Sequence, residues 1–429
     1  MSKTSLPGPD TIAQATLDNG LRLFVRENHS SPSVVITGYV AGGSACEPAS
    51  KAGLSDFTAT MLRRGTERRT FEQINEAIES VGASMSVYSG RHAIAVGGKA
   101  LVEDFGLVLD VLADVLQRPV FPVEHVERLR GQTVTALLER DNDTGSVASM
   151  LFHKLAYPAG HPYAWPTEGY QETVSAFSRD DLIDFYRRFI GPDGGALVVV
   201  GAVKADEVMA MAQAAFGGWR RRPVVDVRFP LVEQPAGRVQ GEKILAGKTQ
   251  TDIVLGAPAM RRGDPDYEAA RLANTILGRF GMMGRLGENV REQLGLAYYS
   301  YSTLAASKEP GSWQVVAGVN PGNVERCLAA VDEELARLGT DLAPDEELSD
   351  SKALLIGSLP LRLETNNGVA EAILEMVWYE LGLDYLERYA GIVNDITAEQ
   401  VRDVTAKYLR PDAYALAVAG PGVEGIPGS

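Results

Sequence analysis

Two stretches of this 429-residue chain repeat one another at long range. Residues 177–201, FSRDDLIDFYRRFIGPDGGALVVVG, align without a gap on residues 396–420, ITAEQVRDVTAKYLRPDAYALAVAG, at an offset of 219. Ser178 and Thr397 stand as helix N-caps, with Asp181 and Gln400 three residues on, where a capping box needs them. Leu182, Phe185 and Phe189 correspond to Val401, Val404 and Tyr408 on the buried face of that helix. Pro192-Asp193 or Pro411-Asp412 makes the turn, and ALVVVG or ALAVAG follows as a buried strand. An offset near half the chain length marks a duplicated domain rather than a solenoid of short repeats.

The two halves run 1–222 and 238–429, joined by a linker over 223–237 that is rich in proline and lacks helical periodicity. In the first half LRLFVREN and SVVITGYVAGG read as strands, and GASMSVYSGRHAIAVGGKA as a pair of strands. Helices are expected over 71–81, 103–117 and 124–140. In the second half MMGRLGENVREQLG predicts a helix with Leu286, Val290 and Leu294 facing inward. Gly295 is its C′ stop, before a strand LAYYSYSTLA. The fold class is therefore α+β: two homologous domains, each a mostly antiparallel sheet packed with helices.

Bulk properties narrow the function. No apolar run approaches the roughly 18 residues of a spanning helix, so no membrane partner is expected. The first residues lack the apolar core of a secretory signal, and a cytoplasmic location is the expectation. A formal charge of −15 argues against nucleic acid as a partner and suits basic ligands. Cys46 and Cys327 fall outside any Cys-x-x-Cys spacing and read as reduced.

The stretch GLSDFTATMLRRGT, residues 53–66, has the apolar stripe Leu54, Phe57, Met61 and Leu62 of a half-buried helix. Asp56, Ala59 and Thr60 share another face, at the spacing where two histidines and a glutamate would make a zinc site. With LDNGLRLFVRE, GGSACEPASKAGLSDFTATMLRRGT, HPYAWPTEG and RLGENVREQLGLAYYSYSTL in this order, nearly the whole chain resembles the pitrilysin-type zinc peptidases. That family includes insulysin and the mitochondrial processing peptidase. The resemblance implies two homologous domains closing, with a second chain or a fused one, around a peptide. Active members carry His-x-x-Glu-His on this helix, two zinc ligands and a general base. Gly53, Met61 and Gly65-Thr66 keep the motif's frame, but its positions fall on Asp56, Ala59 and Thr60. The family's third ligand falls near Leu137, two residues from Glu139. No cofactor is expected in this chain, and zinc is expected in a partner subunit.

The family also uses an Arg and a Tyr of the second half as hydrogen-bond donors to the substrate, and VREQLGLAY supplies Arg291 and Tyr298, seven apart. Read from the residues alone, Arg291 can equally cap a helix or form a surface ion pair, and Tyr298 can be an ordinary strand residue. Gly278, Gly281 and Gly284 in ILGRFGMMGRLG resemble the substrate-contacting glycine-rich loop of the processing peptidase's non-catalytic subunit; a plain turn before a helix is the alternative. The histidines at 29, 92, 125, 153 and 161 read as packed or surface residues. The resemblance thus implies a non-catalytic subunit of a heterodimeric zinc peptidase. Its partners would be a homologous chain bearing His-x-x-Glu-His and a peptide substrate. A non-proteolytic scaffold and a peptide-binding homodimer are the alternatives.

Overall fold

The structure, a computed structural model, describes residues 6–281 and 283–422. Its first sheet contains β1 (Ala13–Thr16), β2 (Arg22–Glu27), β3 (Ser33–Ala41), β4 (Ser84–Ser89), β5 (Ile94–Leu101) and β6 (Gly191–Gly201), ordered β1-β2-β6-β3-β5-β4. The second contains β7 (Val239–Ile244), β8 (Thr251–Pro258), β9 (Ala297–Ala305), β10 (Ser312–Val319) and β11 (Ala415–Gly420), ordered β7-β11-β8-β10-β9. β6 lies parallel to β2 and antiparallel to β3, just as β11 lies parallel to β7 and antiparallel to β8. The sequence repeat is thus a repeat of topology, and the α+β class holds for both halves. Both capping boxes form. Ser178 Oγ accepts from Asp181 N at 3.1 Å and Thr397 Oγ1 from Gln400 N at 3.3 Å, starting the helices Arg179–Phe189 and Ala398–Tyr408. Among the described residues no helix is long and apolar enough to cross a membrane.

The compact units do not run 1–222 and 238–429. One comprises Met1–Leu137, Pro166–Arg228 and Pro360–Glu387; the other comprises Leu138–Trp165, Phe229–Leu359 and Arg388–Ser429. The physical reason is that each sheet has two faces to cover. In the first unit one face buries Leu23, Val25, Ile36, Leu197 and Val199 with Phe57 and Met61 of the Leu54–Met61 helix and Leu109 and Leu112 of the Phe105–Gln117 helix. The helix Asn366–Trp378, from the far half of the sequence, also packs on β3 and β6, and Trp378 meets Tyr39 edge-on at 4.2 Å. In the second unit the helix Thr144–Ala156, from the near half, packs on β7, β8 and β11. Its Val147, Ala148 and Phe152 rest on Val254 and on Ala415, Ala417 and Ala419, alternate residues of one strand face. Three alanines in a row on that face let the helix approach closely.

Both visiting helices are tied down at their first residue. Asn366 Nδ2 donates to Ser33 O at 2.9 Å, and its Oδ1 accepts from Asn28 Nδ2 at 2.6 Å. Thr144 Oγ1 donates to Asp252 of β8, a carboxylate only 1% exposed. Gln250 Nε2 at 3.1 Å and the Tyr299 hydroxyl donate to the same group. Burial and the Asp252 carboxylate hold the Tyr299 phenol well above its ordinary pKa. A carboxylate satisfied by three neutral donors is a high-stakes network, because removing it orphans all of them in a dry site. Asp252→Ala is expected to lower the unfolding free energy by about 2–4 kcal/mol, read from urea denaturation, with Asp252→Asn intermediate.

Candidate functional site

The helix Leu54–Met61 begins after Gly53, whose φ of 95° is left-handed and whose missing side chain would collide with the Glu168 carbonyl. No residue at the N-cap supplies a side-chain acceptor. Glu47 does so instead: its carboxylate, in a residue 4% exposed, accepts from Gly53 N at 2.8 Å and Ser55 N at 2.6 Å. Burial pushes Glu47 up to about 8, and the neighbouring Asp56 adds to this. The two amide bonds and Arg91 act the other way. Burial also pushes Asp56 up to about 6, helped by the Glu168 charge. Ala59 is 0% exposed and belongs to the core, so its position serves packing. Leu137 is buried in the same core and Glu139 is exposed. One half-buried carboxylate, a methyl group and a hydroxyl do not fit a zinc ion, which takes three or four nitrogen, sulfur or carboxylate ligands. Among the described residues there is no cluster of three or more His, Cys, Asp or Glu side chains placed to hold a metal.

In the second unit, the helix Tyr267–Gly278 ends in a turn and a new helix starts at Gly284. Leu286 and Val290 are fully buried, as the apolar spacing predicts, but Leu294 is 45% exposed. The correction has a clear cause. From Gly287 to Gln293 the helix is wound more widely, with the Leu294 amide reaching five residues back to Asn289 O at 3.0 Å. The wider winding turns Leu294 outward. Asn289 Nδ2 in turn donates to the buried Glu334 at 2.8 Å, and Arg285 forms a two-pronged pair with Glu347 at 2.8 and 2.5 Å. These contacts fix the segment that carries Arg291. Gly295, φ 60°, then ends it as expected.

Arg291 is one-third exposed, and its Nε lies 3.6 Å from Glu292 Oε1, a loose surface pair of little energetic worth. Tyr298, the second residue of β9, is 60% exposed and is the extra residue where the register of β9 against β10 shifts, Tyr299 facing Gly318 and Ala297 facing Val319. The wide helix and β9 are packed neighbours. The three glycines separate by role. Gly278 touches β9 so closely that a side chain would strike Ser302 N, which accounts for it by packing. Gly284, φ 62°, is likewise hemmed in by the Ile276 carbonyl. Gly281, φ 53°, faces open space. Nothing in the residue pattern announced Glu47 as a cap or the widened helix beside Arg291.

Family models match both halves. The one described as Insulinase (Peptidase family M16) covers residues 22–162, and the one described as Peptidase M16 inactive domain covers 176–355. An uncharacterized zinc protease of Streptomyces coelicolor is 28% identical over 96% of this chain and 90% of its own length. The mitochondrial-processing peptidase subunit beta of Bos taurus is 24% identical over 96% of this chain and 84% of its own. Among solved structures, a peptidase M16 inactive domain from Pseudomonas fluorescens superposes with a TM-score of 0.89 at 24% identity, covering 97% of this chain and 99% of that one. A protease from Helicobacter pylori superposes with a TM-score of 0.88 at 17% identity, covering 96% and 99%. The chain belongs to peptidase family M16. The inactive-domain match and the substituted motif positions together support a non-catalytic member of it.

The two raised carboxyls make the relic helix sensitive to pH. A carboxyl that holds its proton more tightly folded than unfolded loses stability as pH rises from its unfolded value, about 4. The loss is complete above about 6 for Asp56 and about 8 for Glu47. Unfolding free energy is therefore expected to fall between pH 5 and pH 8, and the double variant Glu47→Gln/Asp56→Asn to flatten that slope in denaturant titrations at each pH.

Proposed function

We propose that this chain is the non-catalytic subunit of a two-chain zinc peptidase, lending Arg291 and Tyr298 to the active site of a homologous partner that bears His-x-x-Glu-His. The observation that carries the reading is the contrast between the two sites. Of the zinc positions Ala59 has become a core residue and Asp56 a half-buried carboxylate without a metal cluster among the described residues, while Tyr298 stands 60% exposed where the register of β9 shifts. The anchoring of the wide helix through Asn289 and Arg285 gives the adjoining Arg291 a fixed base.

The chemistry is that of two donors aimed at a developing anion. The partner's zinc supplies Lewis-acid chemistry when bound. The guanidinium and the phenol donate hydrogen bonds to the peptide carbonyl oxygen, whose negative charge grows as it is attacked. Among the described residues neither donor has a strong internal partner, since the Glu292 contact of Arg291 is long and exposed. The acidic balance of −15 favours peptides carrying positive charge. A scaffold alone has no use for a paired Arg and Tyr presented this way.

In the reconstituted two-chain enzyme, Arg291→Ala is expected to raise the barrier to peptide hydrolysis by about 2–4 kcal/mol without separating the chains. Steady-state turnover and size-exclusion chromatography check both halves of that statement. Unchanged turnover removes Arg291 from the chemistry.

A further inference from the structure

The wide winding of Gly287–Gln293 has a competitor written in the same residues. Leu286, Val290 and Leu294 are spaced as on one face of an ordinary α-helix, and in that winding all three would face inward. The structure buries the first two and leaves Leu294 45% exposed. Wide turns are rare, occur mostly singly and are often found at functional sites. An exposed leucine and an uncommon winding together need an interaction that offsets them.

Asn289 and Glu334 supply it. The Asn289 carbonyl accepts the Leu294 amide at 3.0 Å, the bond that defines the wide turn, and its Nδ2 donates to Glu334 Oε1 at 2.8 Å. Among the described residues no other side chain of 287–293 is bonded outside the segment: Gln293 reaches Glu288 at 3.4 Å, and Arg291 only Glu292. Glu334 belongs to the helix Val324–Thr340 and is 1% exposed. Its Oε1 also takes Arg337 at 2.8 Å, while Oε2 is buried with no hydrogen-bond partner among the described residues. A buried carboxylate with one bare oxygen is costly, and packing alone favours an apolar side chain at such a position. The bond to Asn289 is what an apolar residue there could not make.

We infer that Glu334 is a positioning residue: by holding Asn289 it selects the wide winding over the α-helical one, and the wide winding sets the direction of Arg291. Rewinding to an α-helix would rotate the chain by about 100° at the end of the segment, one residue's worth. Leu294 would then come inward, and Arg291, midway along, would turn with it. The strand that follows carries a matching irregularity. Tyr298 is an extra residue of β9 against β10, so helix and strand each hold one residue more than regular geometry needs, on either side of Gly295. Rewinding the first changes where the chain enters the second, which ties the presentation of Tyr298 to the same carboxylate. The consequence for catalysis rests on the donor role proposed above; the selection of the winding does not.

The test reads the winding directly, in the purified full-length chain carrying Leu294→Cys, through the rate at which iodoacetamide labels the introduced thiol, assigned by mass spectrometry. Adding Glu334→Leu is expected to slow labelling by about tenfold or more as position 294 turns inward, and Asn289→Ala to do the same from the other side of the bond. Glu334→Gln, which keeps an acceptor for Asn289, is expected to label at the parent's rate. A merely structural role predicts the opposite sign, since a loosened segment labels faster. Unchanged or faster labelling in either folded variant overturns the inference. In the reconstituted two-chain enzyme, Glu334→Leu is expected to lower kcat by about tenfold at unchanged KM, to be rescued by Glu334→Gln, and to add nothing to Arg291→Ala. A loss that adds to that of Arg291→Ala overturns the positioning role. Slowed labelling alongside unchanged turnover in Arg291→Ala would keep Glu334 as the selector of the winding and discard the donor.

Discussion

The reciprocal exchange of one helix between the two halves of the sequence is the constraint on which the rest of the structure depends. Each sheet has one face covered by helices of its own half, and the opposite layer includes a helix that arrives from the other. Thr144 and Asn366 are the first residues of those two helices, and each is bonded to the beginning of a strand, at Asp252 and Ser33. A separated half would expose the alanine stripe of β11 or the Tyr39 face of β3 to water. The duplication therefore does not yield two independent domains, because apolar burial ties each unit to chain from both halves.

The same logic explains why a helix that has lost the residues of a zinc site remains. Ala59 and Met61 fill the core of the first unit, and Glu47 satisfies two buried amides at the helix start with a buried carboxylate. The frame residues serve this packing: Gly53 permits the Glu168 segment to pass, and Thr66 donates to the fully buried Asp114 at 2.7 Å. None of that depends on a metal. Chemistry is dispensable to the helix in a way that its shape is not.

Much of this was legible in the residues. The repeat predicted equivalent strands and both capping boxes, because caps and strand alternation are written in local sequence. The strand pairs around β4 and β5 and the stop at Gly295 were legible for the same reason. The exchange was not, since an amphipathic helix such as Thr144–Ala156 declares that it has a buried face but not which sheet will receive it. The exposure of Leu294 was missed because spacing arguments assume α-helical winding, which Gly287–Gln293 does not keep. Glu47 lies seven residues before the helix start at Leu54 and caps it through a loop that only the fold brings back.

The central claim is that this chain completes a zinc site carried by another chain. Affinity purification of the native, tagged chain, followed by native mass spectrometry and metal analysis, tests it most directly. The account predicts an equimolar complex with a homologous chain bearing His-x-x-Glu-His, one zinc per pair, and peptide hydrolysis abolished by chelation. A stable homodimer, a partner without that motif, or hydrolysis by this chain alone would contradict it.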